Sequence, residues 1–363
     1  MNAERLHAVV IELNQEMTKA GTVEKMQQLI RALQDVVNQS NAPSQQSLAK
    51  NLKAMYDATI DAPSDTFSPA WRQILSEIGG DDLFGKSLKS KIETIFARNQ
   101  ITPAVALEEL QQLQKRLQAF KTALDQITAS LKHFKIGDER LGPGECEIGV
   151  LIPRSVVENK LLDFAAELKE LGFILNTFSE LATGSKDDLA IRTISSSGLL
   201  VTLQAAAPYA AFVAICIERL VAFYKQLLEI RKLRQDMSKQ GVPDKSTQGV
   251  QDYANKLMEQ GIEKIVDEVV SKYNKVTDVG RKNELINAVR ISLNKIANRI
   301  DKGFNIEVRV APAPKQLDGE SANEELQQAI VAIQSATPKM QFMRLEGEPI
   351  LSLPEKEKQM KKE

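Results

Sequence analysis

Between Ala106 and Phe134 apolar residues recur at spacings that alternate four and three without a break: Ala106, Leu110, Leu113, Leu117, Phe120, Leu124, Ile127, Leu131 and Phe134. Only a helix gathers such positions onto one face, so this stretch commits the chain to a straight helix about 45 Å long at ~1.5 Å per residue. Thr102 and Pro103 supply a cap and a first-turn proline. Read as heptads, Leu110, Leu117, Leu124 and Leu131 hold every a position, and the d positions carry Ala106, Leu113, Phe120, Ile127 and Phe134.

A leucine at every seventh position suits a parallel dimeric seam, which would make Leu110, Leu117, Leu124 and Leu131 an interaction surface. The flanking charges oppose it, because Arg116 at g would face Lys121 at e of the partner helix. Phenylalanine at two d positions suits a mixed bundle better. Packing against the chain's own N-terminal helices is therefore the favoured reading, with an intermolecular coiled coil as the alternative.

Those N-terminal helices are legible by the same periodicity. Leu6, Val9, Val10, Leu13 and Met17 form one set and Met26, Leu29, Ile30, Leu33 and Val37 another, interrupted at Gly21 and Thr22. Ser44 reads as the cap of a helix carrying Leu48, Leu52, Met55 and Tyr56. Ser68 and Pro69 read as the start of a short one around Trp71 and Ile74, ended by Gly79 and Gly80. Residues 1–136 are thus expected to be a helical bundle.

The stretch 137–145, rich in glycine with one proline, reads as a linker, and the pattern then changes. Strands are expected at Cys146–Ile152, Leu189–Ile194, Leu199–Leu203 and Phe304–Val310, the middle two joined by a Ser195–Gly198 turn. Helices are expected at Val156–Leu181, weakened at Gly172, from Pro208 to about Met237, and over Gln248–Tyr273 and Val279–Arg299. The order is that of a split βαβ unit with two helices inserted before the last strand, hence an α+β fold with a mostly antiparallel sheet over 146–311. Residues 312–363 read as a polar extension with a short helix, capped by Ser321 with Glu324, and a hairpin pairing Gln341–Leu345 with Ile350–Leu353.

The 363 residues exceed one ordinary core, so two domains are expected. With 47 basic against 48 acidic residues, no global field draws the chain to nucleic acid or an anionic membrane. Two cysteines, Cys146 and Cys216, lie outside any metal or redox spacing, which fits a reducing, cytoplasmic setting. His7 and His133 have no partner at ligand spacing, and Gly142, Gly144 and Gly149 do not sit between strand and helix as a phosphate cradle must. Glu158 and Lys160, with Asp187 or Asp188, are the nearest match to a metal-dependent nuclease motif, but they fall at a helix start where i and i+2 do not share a face. No catalytic residue, metal or cofactor is expected.

Two segments remain. From Thr193 to Ile217 there is no charge, and Leu199, Ala211, Ala214 and Ile217 belong to a stretch nearly long enough to span a bilayer. A buried strand followed by a helix is the favoured reading, because Gln204 and Pro208 interrupt the run. The bases from Lys272 to Lys302, with Arg290, Lys295 and Arg299 as representatives, could track phosphates, although a solvated helix face accounts for them more simply. The chain is therefore expected to be a non-enzymatic intracellular interaction or assembly protein, bound to a protein partner or to itself. A membrane-acting effector, membrane-associated through 193–217, is the alternative, and a nucleic-acid-binding module ranks last.

Overall fold

The computed structural model describes residues 2–186, 189–195, 199–242, 244–276, 278–311, 324–340, 342–343 and 345–356. The chain divides into two compact units, Met1–Arg140 and Leu141–Glu363, each with its own apolar core.

The first unit contains α1 (Ala3–Ala20), α2 (Thr22–Asn38), α3 (Ala42–Asp57), a 3-10 turn (Pro63–Thr66), α4 (Pro69–Glu77), α5 (Gly85–Arg98) and α6 (Pro103–His133). The cap of α3 is Asn41 rather than Ser44, and Ser44 completes a reciprocal capping box with it. α5 was not among the expected helices, although Leu88, Ile92 and Ile95 recur at spacings of four and three; it has no local side-chain cap, and its capping is tertiary. Asp65 of the 3-10 turn accepts from the Lys86 N–H at 3.0 Å, 21 residues away in the chain. The turn itself is held by Glu16 of α1, whose buried carboxylate accepts from the N–H and hydroxyl of Ser64 at 2.8 and 2.9 Å.

The long helix α6 packs on α1, α2 and α5. Leu110, Leu117 and Leu124 are buried there and Leu131 is half-buried, whereas Phe134, just past the helix, is 71% exposed. The Thr102 side chain bonds Asn99 and leaves the helix N–H groups alone. His7 is a structural residue: its Nδ1 donates to the Ile136 carbonyl at 2.9 Å and fastens the chain after α6 to α1.

The second unit is α+β: β1 (Cys146–Ile152), α7 (Leu161–Thr183), β2 (Ile191–Ser195), β3 (Leu199–Ala205), α8 (Ala207–Lys239), α9 (Asp244–Tyr273), α10 (Val279–Asp301), β4 (Asn305–Val310) and α11 (Glu324–Ala336). The sheet order is β2-β3-β1-β4 with every pair antiparallel. Since β3 lies between β1 and β2, which α7 connects, the split arrangement is present, with α9 and α10 inserted before β4. The uncharged run takes in the end of β2, all of β3 and the first turns of α8, three secondary elements rather than one span. α8 packs on β1, β4, α7, α9 and α11. A Cβ at Gly261 of α9 would stand 2.9 Å from the Phe223 ring of α8, so glycine is what lets these two helices lie close.

Three expectations are corrected here. α7 begins at Leu161, not Val156, because Glu158 and Asn159 have φ of 45° and 54° and form a turn that no helix accommodates; Gly172 does not interrupt it. Glu158 and Lys160 accordingly sit on that exposed turn, paired with each other, and Asp187 and Asp188 lie outside the described residues. The expected C-terminal hairpin is absent: among the described residues no strand follows β4, and Ile350–Leu353 is bonded to side chains instead. The Ser195–Gly198 turn beyond Ser195, the Ser321 cap, Gln341 and Arg344 lie outside the described residues.

Candidate peptide-binding groove

Three helices of the second unit carry polar side chains on faces that are otherwise apolar. On α10, Asn294, Asn298 and Asp301 follow at spacings of four and three, so they form one stripe among the buried Leu293, Ile296, Ala297 and Ile300. On α8, Arg231 and Arg234 stand one turn apart, and on α9 so do Gln251 and Asn255. Residues 345–356, without regular secondary structure, run along these stripes as a strap.

The strap is held almost as a bound peptide would be. Each backbone N–H from Ile350 to Leu353 donates to a side chain: Ile350 and Leu351 to Asp301 Oδ2 at 2.7 and 2.6 Å, Ser352 to Asn255 Oδ1 at 2.9 Å, and Leu353 to Asn298 Oδ1 at 3.0 Å. The carbonyls are served likewise. Arg231 donates to Glu346 O at 2.8 Å and to Gly347 O, and Arg234 to Pro349 O at 2.8 Å. Asn298 returns Nδ2 to Leu353 O at 3.0 Å, and Asn294 donates to Pro354 O at 2.9 Å. Asn298 thus offers one donor and one acceptor to one residue, as a neighbouring strand would.

Between these bonds the apolar side chains are buried, with Ile350 at 0%, Leu353 at 4% and Leu351 at 8% exposure, while Ser352 and Pro354 face out. Gly347 turns the chain into the groove at φ 76°, and a Cβ there would meet Gln235 at 3.1 Å. Beneath the strap, Asp301 is wholly buried; its Oδ1 accepts from the Tyr224 hydroxyl and from Arg231 Nη1, both at 2.6 Å. A buried charge needs such a partner, and the ion pair fixes the two groups that grip the strap. Past Pro354 the space between α9 and α10 continues as an open cavity of about 760 Å³, lined by Lys256, Glu259, Glu263, Asn287 and Arg290 among others.

The positions singled out from the sequence lie elsewhere or are already engaged. Of the bases, Arg299 pairs with Glu167 at 2.9 Å, Lys295 with Glu170 at 2.6 Å, and Arg281 with Glu180 at 2.7 Å, an antiparallel zipper between α10 and α7. Arg290 pairs with Glu263 of α9. The bonds from Arg281 hold the Glu180 carboxyl below its ordinary range, and those from Lys295 do the same to Glu170. Leu199 is half-buried at the start of β3, and Ala211, Ala214 and Ile217 are buried in α8. That helix is long and apolar enough to cross a membrane by length and composition, and most of its apolar stretch is buried within the fold. Burial pushes the Cys146 thiol up to about 12 and that of Cys216 higher still, so neither is a nucleophile at neutral pH.

The groove residues were missed by sequence reading, although one signal was there. Asn294, Asn298 and Asp301 are polar residues at core spacing on an amphipathic helix, where water cannot satisfy them. No family model, no curated protein and no solved structure matches this chain.

Proposed function

We propose that the chain is a non-enzymatic intracellular interaction protein whose α/β unit works through the groove on α8, α9 and α10. One observation carries this reading: the strap's backbone is bonded by side chains rather than by a sheet, so the groove recognises an extended segment as such. Three of the four heptad leucines, Leu110, Leu117 and Leu124, and the apolar stretch of α8 are buried inside their own units, and Arg290, Lys295 and Arg299 already have carboxylate partners. These facts favour the groove over a coiled-coil seam, a membrane segment or a phosphate-tracking face as the working surface.

A releasable strap must open without unfolding of the unit. Native-state amide hydrogen exchange tests this on the full chain. The N–H groups of Ile350, Leu351 and Leu353 are expected to exchange at least about tenfold faster than the slowest amides of α8, through local opening. Exchange of both sets at one common rate, limited by global unfolding, would make the strap an integral part of the core and remove the reading.

A further inference from the structure

Resting on that reading, we propose that the groove is a receptor for an extended peptide of another protein, bearing two adjacent apolar residues, one outward residue and a third apolar residue, and that the strap is its tethered competitor. The chemistry of the contacts defines this ligand. Asp301 demands two successive N–H groups, so proline is excluded at the positions of Ile350 and Leu351. Asn298 demands both backbone groups of the third apolar residue. Arg234 requires only a carbonyl from the residue before the pair, and Asn294 only a carbonyl from the residue after the third, which is why Pro349 and Pro354 fit there. Prolines at both flanks also favour the extended conformation before binding.

The outward position is free to vary apart from its N–H, since Ser352 is exposed and only Asn255 and Gln251 reach its hydroxyl. Arg231 and Arg234 lie toward the N-terminal end of the ligand, where they read the carbonyls of Glu346, Gly347 and Pro349 and not the side chains. The cavity of about 760 Å³ beyond Pro354 lies between α9 and α10, in line with the strap. A partner carrying this pattern would make the same bonds that the strap makes.

A tethered segment competes at an effective concentration in the millimolar range, so a free peptide of the same sequence binds the intact chain only as often as the strap is away. Weakening the strap must therefore strengthen binding in trans. The probe is a fluorescent synthetic peptide with the sequence of residues 345–356, titrated into full-length protein. Leu353→Asp, which puts a charge where a buried leucine stands, is expected to bind it at least about tenfold more tightly than the wild type. Ser352→Pro deletes the N–H given to Asn255 and the exposed hydroxyl that Asn255 and Gln251 reach, and uncovers no apolar side chain, so it keeps the test alive if Leu353→Asp fails to fold; it is expected to bind severalfold more tightly. The same peptide with serine at the positions of Ile350 and Leu353 is expected not to bind either variant.

Absence of binding to a folded variant at millimolar peptide would overturn the proposal, as would equal binding of the serine peptide. Either result, obtained with a strap whose amides open locally, would leave the reading of the groove standing and refute only the partner in trans.

Discussion

Asp301 links the floor of the groove to the strap, with Tyr224 and Arg231 on one oxygen and two strap amides on the other. Burial, and then the charge of Asp301, push the Tyr224 hydroxyl well above its ordinary value, so it stays a donor at every accessible pH. Removing the counter-charge while leaving the carboxylate buried is expensive. Arg231→Met is expected to destabilise the second unit by about 3–5 kcal/mol, measured by urea unfolding. Combined with Asp301→Asn, the loss should fall short of the sum of the single changes, with a coupling of about 0.5–3 kcal/mol. Strict additivity would mean that the pair does not act as a unit. The pairing was not legible in the sequence, since Arg231 stands in a run of bases and its partner lies 70 residues away. Asp301 stands at core spacing on α10, but nothing local marks Arg231 as buried.

Among the elements, α7 and α10 are joined by their three ion pairs, and these make the second unit sensitive to acid. A carboxylate held below its ordinary value stabilises the folded state at pH above that ordinary value, and the contribution is lost as pH falls through the lowered one. For Glu170 and Glu180 the loss is expected to set in below about pH 4.5, their ordinary value, and to be absent near neutrality. Arg281→Gln should shallow the fall in urea midpoint as pH drops below about 4.5, the ordinary value of Glu180; an unchanged acid slope there would contradict the assignment. The α6 seam makes a second prediction at this scale. Leu117→Ala is expected to cost about 2–5 kcal/mol of stability in the first unit because it opens a cavity against the other helices, whereas Phe134→Ser should change it by under about 0.5 kcal/mol. Thermal and urea unfolding of both variants checks this. Most helices and all four strands were legible from periodicity. α5 was missed although Leu88, Ile92 and Ile95 carry the periodicity, because no local cap marks its start and Asp65 caps it from a distance; the start of α7 was misplaced at the left-handed pair Glu158 and Asn159. The strap read as a hairpin because alternating apolar residues carry the same pattern whether a strand or a row of side chains satisfies their backbone.

At the scale of the whole molecule, the sequence already implied an all-helical part followed by an α+β part, and two separate apolar cores answer to that change of pattern. The groove escaped the same reading because it is assembled from three helices and a segment about 50 to 115 residues away in the chain, each polar residue ordinary in its own element. The measurement that bears most directly on it is a distance between spin labels on the full chain, at Glu348→Cys on the strap and Asp252→Cys on α9. Both sites are exposed, and the native thiols are buried and unreactive, so labelling is selective. With millimolar peptide of residues 345–356, the single narrow distance of the closed strap is expected to give way to a longer, broad population in the Ser352→Pro background. A distance that stays narrow and unchanged at that peptide concentration would contradict an exchangeable strap and, with it, a groove that receives a partner.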